Sequence, residues 1–145
     1  MKILIDEIDM GSERPLGYTG LPSFVVKFHS SGFDGVARFV PATGLSQDCV
    51  GHEFGVEIAQ DSVTDFQIIA GGAVPEIVYL DKLGSFRVRG AVRGVPRPNG
   101  GQTITVAVGE AYFTLTLDDI GPIPANVGDT VMFTVHDLSL WDEVI

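Results

Sequence analysis

Apolar and polar residues alternate one by one through most of this chain, and the three-to-four-residue spacing of an amphipathic helix is nearly absent. A period of two belongs to a strand with one buried face, so the pattern confines the chain to sheet architectures. In "FVVKFH" the inward set is Phe24, Val26 and Phe28, and in "FGVEI" it is Phe54, Val56 and Ile58. "TITVAV" offers Ile104, Val106 and Val108, "YFTLTL" offers Phe113, Leu115 and Leu117, and "TVMFTV" offers Val131, Phe133 and Val135. Thr103, Thr105, Thr114, Thr116 and Thr134 fall on the outer phase, where β-branched residues suit a pleated surface. The expectation is an all-β protein of roughly nine or ten short strands. Turn chemistry at "SSGFDG", "AGG", "RPNGG" and "VGE" divides the runs, and Asn99-Gly100 is the strongest hairpin signal among them.

Two stretches repeat one another. "VGHEFGVEIAQDSVTDF" begins at Val50 and "VGDTVMFTVHDLSLWDE" at Val127, 77 positions later. The same offset places Gly32 over Gly109, Gly44 over Gly121, Gly51 over Gly128, Ser62 over Ser139 and Asp65 over Asp142. Upstream of Phe24 the match needs a change of length, with "KILIDEID" set opposite "SFRVRGAV". The reading is an internal duplication of a unit of about 70 residues with four or five strands, hinged near Gly71 and Gly72. It divides the chain into an N-terminal β lobe, 1–72, and a C-terminal β lobe, 73–145. Units that small bury little surface alone, so the two barrel-like lobes are expected to pack as one. The second half resembles an oligonucleotide/oligosaccharide-binding (OB) barrel or an SH3-like barrel in architecture, without a motif that carries function across.

Composition bounds the function. Hydrophobic residues make up 45% of the 145 residues and charged ones 19%, which excludes a disordered chain. Nineteen acids against nine bases give a net charge of −10, which repels nucleic-acid phosphates and anionic membranes and makes a basic protein the easier partner. One cysteine, Cys49, permits no internal disulfide. No apolar leader follows "MKILIDEID", and no run is long enough for a membrane helix, so the expectation is a cytoplasmic protein.

Chemistry-bearing residues are sparse. Cys49 and His52 in "CVGHE" have the gap of half a zinc site, but no second pair completes it, and His29 and His136 are remote in sequence. No metal and no cofactor are expected. The same pair read as nucleophile and base would make a hydrolase, although no nucleophile elbow or phosphate loop accompanies it. The acidic pairs Asp118-Asp119 and Asp142-Glu143 read as turn and tail chemistry.

Charge is organised in one place, "KLGSFRVRGAVRGVPRP", which holds Lys82, Arg87, Arg89, Arg93 and Arg97 and no acid. Period two puts Arg87, Arg89 and Arg93 on one face, opposite Phe86, Val88 and Val92. Such a row either pairs with acids on neighbouring strands or receives an anion, together with Arg97. Near the C-terminus, Trp141 among Asp137, Asp142 and Glu143 reads as core packing or as an interface anchor with an acidic rim. The leading functional expectation is a non-enzymatic acidic binding protein, of adaptor, inhibitor or immunity type, that engages a basic protein. The alternatives are an OB-like module binding an anionic small molecule or oligonucleotide through the arginine row, and a hydrolase at Cys49 and His52. Self-association through the arginine row is a further expectation.

Overall fold

The computed structural model describes residues 1–71, 73–94, 103–121 and 125–144, the side chain of Tyr18 excepted. Arg97, the Asn99-Gly100 turn and Gly72 lie outside the described residues. The chain is nearly all β, with 63% strand and 7% helix. The strands are β1 (Lys2–Leu16), β2 (Leu21–His29), β3 (Asp34–Val40), β4 (Glu53–Ala59), β5 (Ser62–Ile69) and β6 (Glu76–Tyr79). They continue as β7 (Phe86–Gly94), β8 (Thr103–Val108), β9 (Ala111–Thr116), β10 (Thr130–His136) and β11 (Ser139–Asp142). One helical turn, α1 (Leu117–Ile120), follows β9.

Alternation sets the buried faces. Phe24, Val26 and Phe28 of β2, Ile104 and Val106 of β8, and Val131, Phe133 and Val135 of β10 are all buried. Phe54, Ile58 and Val108 of the inward sets are half-buried against the core, and Leu117 and Thr134 depart from the period-two reading. Leu117 falls at the start of α1, where the Thr116 side chain accepts a hydrogen bond from the Asp119 amide and ends the strand. Thr134, expected on the outer face, is 6% exposed in register between Thr64 of β5 and Arg87 of β7, whose side chains share its face.

Five strands form a closed barrel in the order β1-β2-β3-β11-β4, shut by β1 pairing with β4. β11 runs parallel to β3, with Ser139 opposite Arg38, and antiparallel to β4, with Ser139 opposite Ala59. The second sheet runs β5-β10-β7-β8-β9, and β6 lies along β7. Strand pairing therefore does not follow chain halves: β11 enters the barrel of β1–β4, and β5 enters the sheet of β7–β10. The two crossings match in register. Ser62 of β5 lies opposite His136 of β10, and Ser139 of β11 opposite Ala59 of β4; 77 positions separate Ser62 from Ser139, and 77 separate Ala59 from His136.

One hydrophobic core runs through both sheets. Phe86 of β7 reaches the barrel, with ring centroids 6.3 Å from Phe28 and 5.8 Å from Phe33. That approach requires Gly35, because a Cβ there would meet the Phe86 ring at 2.5 Å. Chain crossing and a shared aromatic cluster make separate unfolding of the halves costly.

Candidate functional site

On the outer side of the barrel, where both crossings turn, there is a cavity of about 530 Å³. Ala59, Gln60 and Asp61 border it from the β4–β5 crossing, and Asp137 and Leu138 from the β10–β11 crossing. Gly84 closes the floor: its amide donates to the Val36 carbonyl at 3.0 Å, and its own carbonyl accepts from the Leu138 amide at 2.9 Å. Gly84 holds a φ of +72°, and a Cβ would lie 2.9 Å from the Asp137 backbone, so the tight seam needs glycine there.

Arg38 is the most unusual side chain on this cavity. It sits in β3 between Ala37 and Phe39, which are buried with no exposure at all, so strand geometry turns it to the other side. That side is covered too, and Arg38 is only 9% exposed. Its Nη1 donates to the Ser12 carbonyl and to Ser23 Oγ, both at 3.1 Å, tying the bulged part of β1 to β2. Its Nε is buried without a partner. Among the described residues no carboxylate pairs with it. Burial, and then the like charge of Arg14, lower its pKa, although a guanidinium so placed stays protonated at neutral pH. Trp141 borders the same cavity, half-buried, with its Nε1 donating to Ser139 Oγ at 2.9 Å.

A second, smaller hollow of about 360 Å³ lies between β4 and the start of β9. Glu57, Glu110 and Glu143 line it beside Tyr112, which is 59% exposed. Glu143 Oε1 is 3.6 Å from the amino group of Met1, and no lysine or arginine pairs with any of the three glutamates among the described residues.

Comparison of the chain with known protein families, with curated proteins and with solved structures finds no match to any of them. The site is therefore read from its own chemistry.

The residues singled out from sequence are distributed as follows. Arg87 and Arg93 are exposed and Arg89 is half-buried, all on the outward phase of β7. Arg89 is engaged: its Nη2 is 2.9 Å from Glu76 Oε1, and its Nε donates to the Val74 carbonyl at 2.6 Å. Of the C-terminal group, Trp141 and Asp137 meet at the large cavity. Asp142 turns away, accepting from the Ala42 amide at 3.2 Å, and Glu143 joins the smaller hollow. The three acids therefore do not form one rim around the tryptophan.

Cys49 is half-buried against the core at the end of a 3₁₀ turn, Gln47–Cys49, while His52 is exposed. The backbone joins them, His52 N donating to the Cys49 carbonyl at 3.1 Å, and the turn is pinned to β1 by the Gly51 amide on the Ile5 carbonyl at 2.7 Å. Their side chains share no hydrogen bond among the described residues, and those residues contain no cluster suited to a metal ion. No helix among them is long and apolar enough to cross a membrane.

Arg38 and Arg14 went unmarked in the sequence reading, yet a signal was present. In "GVARFV" both phases are apolar, with Val36 and Val40 on one and Ala37 and Phe39 on the other. A strand apolar on both phases is covered on both faces, so an arginine within it is buried.

Proposed function

We propose that the chain is a non-catalytic binding protein whose partner is a basic protein. The observation that supports this best is the hollow lined by Glu57, Glu110 and Glu143 beside the exposed Tyr112. Glu57 and Glu110 have no lysine or arginine partner among the described residues, and Glu143 faces only the Met1 amino group at 3.6 Å, so an incoming lysine or arginine gains charge-assisted hydrogen bonds there. The tyrosine adds contact area at low entropic cost, as aromatic anchors do at interfaces. The remaining surface agrees in sign, since the chain carries −10. This is the chemistry of an adaptor, inhibitor or immunity-type protein. The arginine row is the weaker alternative because Glu76 and Val74 already occupy Arg89.

Titration at low salt with poly-lysine and with single-stranded DNA tests the reading. Poly-lysine binds and DNA does not. Glu57→Gln combined with Glu110→Gln weakens binding by about tenfold, the scale of one lost charge-assisted bond. Asp34→Asn with Asp48→Asn removes the same charge elsewhere and weakens it less. Equal losses from the two pairs, or tight DNA binding, would overturn the proposal.

The crossing register also supports reading the chain as a duplicated unit, 1–72 and 73–145, with five strands in the first copy and six in the second, whose copies have exchanged their last strands. In that reading β11 is the fifth strand of the barrel, and β5 joins the six-stranded second sheet, in which β6 is the additional strand. The barrel order β1-β2-β3-β11-β4, with β11 parallel to β3, supports an OB-like reading of this barrel, which is built on strands of the first half, whereas the sequence pattern placed that likeness in the second half.

A further inference from the structure

We propose that the cavity beside Arg38 binds a small organic acid of single negative charge, a carboxylate carried on an apolar or aromatic body. This site is separate from the glutamate-lined hollow, and the inference does not depend on the basic-partner reading.

The first support is the state of Arg38. A guanidinium has five N–H donors, and among the described residues only Nη1 finds acceptors, the Ser12 carbonyl and Ser23 Oγ. Both are neutral. The charge itself has no counter-ion within 4.0 Å among the described residues, although the side chain is 9% exposed and Nε has no partner. A charge removed from water is ordinarily paired, and an unpaired one carries a large desolvation penalty. Arg14 borders the same cavity and adds a second positive charge. An anion entering the cavity supplies the counter-ion that the Arg38 guanidinium lacks and offsets the Arg14 charge beside it.

The cavity's own charges narrow the class. Arg14 and Arg38 share it with Asp61 and Asp137, so its formal charge is balanced. A dianion such as a phosphate monoester gains at the arginines and loses at the aspartates. A monoanion seated at Arg38 gains the first and suffers less of the second. Trp141 decides the body of the ligand. Its indole N–H is already given to Ser139, so it offers its ring rather than a donor, and Leu16 and Leu83 extend the apolar wall. A volume of about 530 Å³ is within the range of small-molecule sites.

The purified full chain tests this with three probes of one shape: phenylacetate, the neutral phenylacetamide and the dianionic phenyl phosphate. Binding is followed by Trp141 fluorescence and by the Arg38 Nε–H signal in NMR. Phenylacetate saturates both signals at millimolar concentration or below, and the other two bind about tenfold more weakly or worse. Arg38→Met removes the charge while keeping length. It folds, because a buried ion replaced by an apolar chain of similar size is commonly tolerated, and it loses phenylacetate binding. Should that variant fail to fold, the wild-type Arg38 Nε–H signal still decides, since it moves only if the acid reaches the guanidinium. Absence of saturable phenylacetate binding, an unmoved Nε–H signal, equal affinity for the amide, or tighter binding of phenyl phosphate would each overturn the proposal. So would unchanged affinity in a folded Arg38→Met protein.

Discussion

The barrel closes and the second sheet does not, although each takes a strand from the other half of the chain. β11 is only four residues long, yet it pairs on both sides, parallel to β3 and antiparallel to β4. β5 has eight residues and, among the described residues, pairs only with β10. The gap on its other side is filled by different means. α1 packs against both β5 and β9 and buries Ile120, and Gln60 Nε2 donates to the Thr114 carbonyl on the β9 edge at 2.8 Å. An unpaired edge is thus covered by a helical turn and a side-chain amide instead of a further strand. Closure depends on whether the donated strand finds both neighbours, not on its length.

Leu140 and Val63 occupy matching places in the two donated strands, and truncating them gives the largest contrast. Leu140 is fully buried inside the closed barrel, and Leu140→Ala should cost about 2–5 kcal/mol, read as a shift in urea midpoint. Val63→Ala, in the open sheet, should cost about 2 kcal/mol, because two methyl groups are lost where an edge strand can relax. Equal losses after allowing for side-chain size would mean that closure adds nothing to β11.

A smaller effect is expected from Thr116→Ala, which removes the side chain that both accepts from the Asp119 amide at 3.2 Å and donates to its carboxylate at 2.9 Å. Loss of this cap should cost about 1 kcal/mol. Amide exchange should quicken in β5 and β9 while the barrel amides keep their rates. Uniform acceleration would show that the plug and the barrel open as one unit.

The smallest effect belongs to the arginine row. Replacing Arg87, Arg89 and Arg93 together with glutamine should change stability by about 0–1 kcal/mol, since the Arg89–Glu76 pair, half-buried on the arginine side and exposed on the glutamate side, is the one ion pair they make among the described residues. Mass in solution should not change. Salt-dependent dissociation of an assembly upon this substitution would instead make the outer face of the second sheet an interface between copies.

The arginine row and the cavity also show what could be read in advance. The outward phase of Arg87, Arg89 and Arg93 followed from alternation with Phe86, Val88 and Val92. Glu76 as their neighbour did not, because period two reports the face and is silent about which strand lies alongside. Trp141 drew notice as a lone tryptophan, but the partners proposed from its sequence neighbourhood scattered. Asp137 stayed beside it, whereas Asp142 and Glu143 were drawn to Ala42 and to the hollow by β4.

By itself the sequence determined the strand character and the buried sets of β2, β8 and β10. These are local or periodic properties, and the hydrophobic effect acts on them wherever the strand is finally placed. Tertiary structure alone decided that β5 and β11 change sheets, that the barrel closes while its counterpart is plugged by α1, and that Arg38 is left charged and covered beside a cavity. Each of these depends on which strand becomes a neighbour. Pairing partners are chosen by the packing of one shared core, which brings together groups as far as 100 residues apart in the chain, as Ala42 and Asp142 illustrate, and no local pattern encodes that choice.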